Sequence, residues 1–443
     1  MNFLKSSTIT LLTRIFVFIC AIIISVYVAR FFGPEAKGAY SLLIQTISIS
    51  VLLGMCGIDN AIVYSLSKNE SLKKVYPNII SFTLISGVSI TLLLFFSSRF
   101  LKSTLLRNID TSLIEISILT IPFMLFNKLS ITAILGLNKI KQFNTFKIAS
   151  AIVTLISFFI LVIIFKWGIK GAISSILFTE VFMSLWYVYV ISKKVKIKIN
   201  FDINFIQKLF NYGIRGFLGP LLLMAIFKID YYILNMFSNI RDVGFYSVSV
   251  GFGEMLFFIP EAIGVVLFPK LASMSHIDSN KKTVQLLRFF FLMMSIITLL
   301  LFLFSREIMV FIYGIQYASS AYLMRIMLPG FFFLSFYYLY FSYFYSRGKP
   351  EVVTVILFVT TIIKTLLSLV LIPKFGVQGA SFGTLISYLI CGFIFVLTFL
   401  RYSGENLKSI FFITSLDIRY ILSHMPIKRL RDRNACDIMK MRE

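Results

Sequence analysis

Residues 9–58 read ITLLTRIFVFICAIIISVYVARFFGPEAKGAYSLLIQTISISVLLGMCGI. Two apolar runs, 9–30 and 39–58, flank the short break FFGPEAKG at 31–38. About 20 apolar residues suffice to cross a bilayer as a helix. Each run reaches that length, with Arg14 as the only charge away from the run ends. The segment predicts two antiparallel helices in lipid. The first run is too long for a signal peptide, lacks a small-x-small cleavage site and is followed by more spans, so it is read as a retained helix.

Outward from this hairpin, similar runs recur at 79–101, 113–137, 145–165, 169–191, 213–236, 243–269, 284–305, 322–345, 352–372 and 379–400. Composition leads to the same conclusion. Of the 443 residues, 58% are hydrophobic, 16% aromatic and 14% charged, and mean hydropathy is +0.90. Soluble domains average roughly 45–50% apolar and about 25% charged, so this chain cannot cover a water-facing surface. A soluble enzyme with one anchor is excluded. The expected fold class is an all-α integral membrane protein of about twelve transmembrane helices.

The formal charge is +24, from 43 Lys+Arg against 19 Asp+Glu. In a membrane protein such an excess flanks the cytoplasmic ends of spans, and no nucleic-acid partner is expected. With the N-terminus inside, the inside loops hold 17 Lys and Arg and the tail after residue 400 holds nine; the outside loops hold ten and the spans seven. Both termini are therefore expected in the cytoplasm. The longest inter-span stretch, 192–212, contains KKVKIKINFDINFIQKL and is expected to lie along the inner surface. It divides the chain into an N-terminal lobe, 1–191, and a C-terminal lobe, 213–400. The tail 401–443 carries an amphipathic patch from Ile410 to Leu422 and a basic end suited to anionic lipid. Cys20, Cys56, Cys391 and Cys436 form no CxxC or disulfide framework, and with only His276 and His424 beside them no metal site is expected.

The chain also repeats itself. Gly38-Ala39-Tyr40-Ser41 opens the second span and Gly244-Phe245-Tyr246-Ser247 the eighth, 206 residues on. Trp167-Gly168-Ile169-Lys170-Gly171-Ala172 and Phe375-Gly376-Val377-Gln378-Gly379-Ala380 open the sixth and twelfth, 208 residues apart. An offset of six spans keeps both copies in one orientation, so two six-helix lobes are expected to be related by an axis along the membrane normal.

Three stretches carry a family resemblance: Ala29-Arg30-Phe31-Phe32-Gly33-Pro34-Glu35-Ala36-Lys37-Gly38-Ala39-Tyr40, Gly57-Ile58-Asp59-Asn60-Ala61 and Gly168-Ile169-Lys170-Gly171-Ala172. They resemble polysaccharide biosynthesis flippases of the multidrug/oligosaccharidyl-lipid/polysaccharide exporter superfamily. The resemblance extends over essentially the whole chain by length and repeat plan. It implies a MATE-like fold with two lobes around a V-shaped cavity. Lys37 stands where that family carries a large side chain, a departure to which the sequence alone attaches no consequence.

Enzymatic motifs are missing from the sequence. No GxxxxGK[ST], HExxH or GxSxG occurs; Gly33 and Gly38 have the spacing of a phosphate loop, but Ala39 stands where its Lys belongs. Gly251-Phe252-Gly253 lies inside a span and reads as helix packing.

Charges within spans carry most of the functional information, because one at mid-bilayer costs roughly 2.5–3.5 kcal/mol on insertion scales. Lys128, Glu180, Glu254 and Lys364 lie near the middle of their spans, and Lys228 and Asp230 slightly off it. Arg14, Arg215, Arg288 and Arg325 sit near span ends, where snorkelling explains them as well as substrate contact does. Lys228 and Asp230 point apart on their helix. Across the turn near residue 239, Lys228 and Glu254 fall at similar depth and are expected to be able to pair. None of the central charges recurs at the repeat offset, which favours a substrate or coupling role.

The expected function is flipping of an undecaprenyl-pyrophosphate-linked oligosaccharide across a bacterial inner membrane, for O-antigen, capsule or exopolysaccharide assembly. Lys128, Lys228, Lys364, Arg14, Arg215 and Arg288 are candidate substrate cations. Asp230, Glu254 and Glu180 are candidate H+ or Na+ sites. No catalytic residue or organic cofactor is expected. The expected partners are the lipid-linked substrate, membrane lipids and other polysaccharide-assembly proteins. Two rivals remain: a cation-coupled multidrug antiporter of the same fold, and a membrane glycosyltransferase or polymerase.

Overall fold

In lipid every backbone N–H and C=O must find its partner within the protein, which leaves helices as the economical choice for a chain of apolar runs. The computed structural model describes residues 3–68, 70–193 and 202–411, and these are almost entirely helical. Helix α1 (Phe3–Met55) holds the opening hairpin, and α2 (Ile58–Ser67) prolongs its second arm. The third span is α3 (Leu72–Phe96), followed by the short α4 (Ser98–Ser103). The fourth to sixth spans are α5 (Thr111–Gly136), α6 (Ile140–Phe158, continued by a π-helical stretch to Ile164) and α7 (Gly168–Ser192). Beyond these come α8 (Ile203–Phe237), the pair α9 (Ile240–Met255) and α10 (Phe258–Ala272), and α11 (His276–Leu303). Next are α12 (Ser305–Tyr313), α13 (Ala318–Ser335), α14 (Tyr337–Ser346), α15 (Pro350–Ser403) and α16 (Leu407–Phe411).

Among the described residues nine helices are long and apolar enough to span, and α9 with α10, bent by 42°, makes a tenth. Two of the nine are double. The apolar part of α1 runs 47 residues, ~70 Å at 1.5 Å per residue, against a hydrocarbon core of about 30 Å. It turns back at Gly33, whose φ of 83° suits only a residue without Cβ, and Pro34 starts the return arm. In α15 the corresponding turn is Gly376, with φ 54°. Counting both arms of each brings the crossings to the expected twelve. The eighth span, expected to be continuous, is broken at Leu256, because Pro260 has no N–H for the Leu256 carbonyl and its ring crowds it.

The expected inner-surface segment 192–212 takes a different form. From Ile203 onward it is the first part of α8 and runs directly into the seventh span. Residues 194–201 lie outside the described residues, as does the amphipathic patch beyond Phe411. This opening part of α8 is docked on the N-terminal half. The Asp202 N–H donates to Asn78 Oδ1 at 2.9 Å, Lys208 pairs with Glu70 at 3.7 Å, and Tyr64 stacks on Tyr212 at 4.5 Å.

Two ends of the bundle can be distinguished. The turns at Gly33, Asn108, Asn239 and Gly376 lie at one, here the Gly33 end; Asn138, Arg347 and the start of α8 lie at the other, here the terminal end. At the Gly33 end the halves touch backbone to backbone. A Cβ on Gly38 would overlap the Ile240 carbonyl, and one on Gly244 would overlap the Pro34 carbonyl. Each contact is the other shifted by 206 residues, so the two copies of the repeat meet as a two-fold axis requires. Gln316 reinforces this seal by donating to the Ala29 and Arg30 carbonyls, and Asn235 by donating to those of Leu105 and Arg107.

Candidate functional site

Behind the seal lies a cavity of about 880 Å³ between the halves, walled by α1, α5, α6 and α7 on one side and by α8, α9 and α10 on the other, with Tyr313 of α12 and Tyr338 of α14. Its N-terminal wall presents Lys37, Lys128 and Lys147, with Glu180 among them; its C-terminal wall presents Lys228, Glu254 and Glu261. Amide and hydroxyl side chains, among them Gln45, Asn127 and Ser150, lie between the charges. An interior with charges, hydroxyls and aromatic faces inside an apolar bundle is suited to a polar ligand that must cross lipid.

The charges differ sharply in their partners. Glu180 is held by Asn127, which donates to its Oε2 at 2.6 Å and to its carbonyl at 2.8 Å, while Ser184 donates to Asn127 Oδ1. Lys228 and Glu254 pair at 2.7 Å, so the expected contact across the turn is made. Arg14 and Glu261 bridge the two halves at 3.0 Å toward the terminal end, with side chains 48% and 39% exposed. Lys128 is exposed, and Lys147 lies over the Phe143 ring at 4.7 Å. Among the described residues neither Lys128 nor Lys147 has a carboxylate partner. The cavity is therefore sealed at the Gly33 end and open near the terminal end, where Lys128 and Lys147 lie.

Several expected site residues lie elsewhere. Lys364 does not line the cavity. Its Nζ pairs with Asp230 Oδ2 at 2.5 Å, both side chains are fully buried, and Lys364 lies 4.5 Å from the Tyr388 ring centroid. Asp230 also accepts from Ser368 at 2.5 Å, Tyr246 at 2.6 Å and Thr384 at 2.9 Å. This closed network stitches α8, α9 and α15 together. In this conformation neither Lys364 nor Asp230 reaches the cavity. Arg288 donates to the Ser409 carbonyl, tying α11 to α16. Arg215 is exposed near the start of α8, outside the cavity lining. Arg325 is held by the Phe302 carbonyl and Ser305.

Sequence reasoning missed Lys37, Lys147 and Glu261. Both lysines fall near the ends of the apolar runs, where Lys and Arg normally flank spans. Pro34 starts the return arm three residues before Lys37, and α6 starts at Ile140, so both lie within helices. For Lys37 a signal existed, its departure from the family pattern.

Comparison with known proteins bears on what such a cavity serves. The model of the polysaccharide biosynthesis protein family matches residues 3–275. An uncharacterized membrane protein of Methanocaldococcus jannaschii is 27% identical over 275 residues, and the match spans 59% of this chain and about half, 54%, of that relative. A candidate O-antigen transporter of Shigella flexneri is 22% identical over 80% of this chain and 87% of its own length. Among solved structures, an inward-facing multidrug resistance MATE family transporter superposes with a TM-score of 0.73, at 15% identity, over 87% of this chain and 94% of its own. The lipid II flippase MurJ in an inward closed conformation superposes with a TM-score of 0.72, at 16% identity, over 92% and 91%. At such identities the likeness is one of fold.

Proposed function

The chain belongs to the polysaccharide biosynthesis protein family of multi-pass membrane transporters, and on that premise we propose that it flips an undecaprenyl-pyrophosphate-linked oligosaccharide across a bacterial inner membrane. The observation that carries this reading is the pair of lysines, Lys128 and Lys147, that line the interlobe cavity without a salt-bridge partner among the described residues. A pyrophosphate brings negative charge that an ammonium can hold as a point charge. The glycan needs hydroxyl and amide partners, and the prenyl tail stays in lipid. The larger number of Lys and Arg in the loops at the terminal end than in those at the Gly33 end supports a cytoplasmic position for the terminal end, where such a precursor is assembled. In this reading the structure is a cytoplasm-facing state. Glu254, paired with Lys228, and the Asn127-bound Glu180 are the carboxylates that exchange H+ or Na+ as the halves move.

A deletion strain and a Lys128→Gln strain test this together. Lipid-linked intermediate is expected to accumulate on the inner leaflet in both, with variant protein at normal level. Accumulation of short, unpolymerised chains on the outer leaflet would instead mark a polymerase. Loss of resistance to cationic dyes with normal glycan display would mark a drug antiporter.

A further inference from the structure

Lys37 is the cavity's least explained group. The residue is only 7% exposed, it lines the cavity, and its ammonium donates to Ser25 Oγ at 2.8 Å. Its other neighbour is the Tyr40 ring, 5.6 Å away. No carboxylate pairs with it among the described residues. Burial of a charge without a counter-charge is costly, so packing gives no reason to keep an ammonium here. Its place in the fold is specific: the next residue, Gly38, forms the seal against Ile240. Lys37 thus stands at the blind end of the cavity. Asn144 donates to Thr10 Oγ1 at 3.1 Å, and α6 runs parallel to the first arm of α1, so Lys147 lies level with Arg14. Ser25 is eleven residues beyond Arg14 on that arm, which puts the Lys37 ammonium ~16 Å further from the terminal end than Lys147.

We infer that Lys37 and Ser25 form a second anion site, which takes a sugar carboxylate on the glycan while the carrier's phosphates stay with Lys128 and Lys147. The inference rests on the transport reading above and adds the substrate class, an acidic repeat unit. One ammonium and one hydroxyl match a monoanion. The depth interval is the length of a short oligosaccharide, so both ends of one cargo molecule are held at once. A carboxylate at Lys37 neutralises the buried charge directly beneath the seal, so the acidic glycan is recognised where the outward path opens.

The test uses full-length protein in nanodiscs and the lipid-linked glycan that accumulates in a deletion strain, either native or with its carboxyl groups chemically reduced to alcohols. Mass spectrometry of that glycan is expected to find an acidic sugar. Carboxyl reduction is expected to weaken binding to the wild-type chain at least tenfold. Lys37→Met is expected to bind the native glycan as weakly as the wild type binds the reduced one, to ignore reduction, and to melt at or above the wild-type temperature. Lys128→Gln is expected to weaken both forms alike. A glycan without acidic sugars, a wild-type chain indifferent to reduction, or a Lys37→Met chain that still discriminates overturns the second site and leaves flipping standing. A lower melting temperature for Lys37→Met makes Lys37 structural and overturns it too. If no lipid-linked glycan accumulates, or neither form binds, the transport reading falls first and the second site with it.

Discussion

At the scale of single residues, the six central charges separate by what they touch. Lys364 and Asp230 are fully buried and satisfied by Ser368, Tyr246 and Thr384. Removing one member of such a pair typically costs about 3–5 kcal/mol, because the other charge stays buried alone. Lys364→Met is therefore expected to lower the melting temperature strongly. Asp230→Asn combined with Lys364→Met should lose less than the two single losses added, since the amide oxygen still accepts; a thermal-melting double-mutant cycle measures the difference. Lys128 is exposed on the cavity wall and has no salt-bridge partner among the described residues, so Lys128→Gln should melt like the wild type yet flip at least tenfold more slowly, and Lys128→Arg should recover part of the rate. Equal destabilisation at both positions would remove this distinction. The Lys228–Glu254 pair was legible in sequence, because depth along two antiparallel helices follows from residue count. The Asp230–Lys364 pair was not: it joins helices distant in the chain, and span hydropathy carries no information on which faces meet.

Among the elements, hydropathy located every span because lipid exposure demands an apolar exterior, as at Phe96, Leu185 and Leu299, which remain exposed on the folded bundle. Bends were less legible. Gly33 and Gly376 announce themselves by residue type, whereas the break at Leu256 depends on Pro260 four residues on. The element with most functional weight is the seal, where α1 and α9 approach as closely as glycine permits. Gly244→Val places two methyls against the Pro34 carbonyl and should prevent the Gly33 end from closing. A cysteine at Ser41, in a chain whose four native cysteines are replaced, is then expected to react with a membrane-impermeant maleimide added from the Gly33 side. In the glycine-bearing chain with the seal closed, the same cysteine should be protected. Equal labelling in both chains would show that the Gly38–Gly244 contact is no barrier.

For the whole molecule, the repeat decides how the halves can move. The 206-residue offset predicted lobes in one orientation, and the reciprocal contacts Gly38 to Ile240 and Gly244 to Pro34 put the line of pseudo-symmetry through the seal. Opening the Gly33 end then means rotating one half against the other about contacts near the terminal end. There the halves are joined by the docked start of α8 and by the Arg14–Glu261 pair. That pair is about half exposed and worth at most about 1 kcal/mol, so Glu261→Gln should change the flipping rate by no more than about fivefold. In the proposed transport cycle the seal has to break completely. Arg107 on the N-terminal half donates to the Met236 carbonyl at 3.0 Å, which makes these two positions neighbours across the closed end. With cysteines at both positions, and the native four replaced, a short cleavable thiol crosslinker should reduce flipping to background while substrate binding from the terminal end persists. Cleaving the linker should restore the rate. Undiminished flipping with the Gly33 end pinned shut would rule out the rocking of two halves, because the cavity has no other sealed end through which a headgroup could leave on the far side.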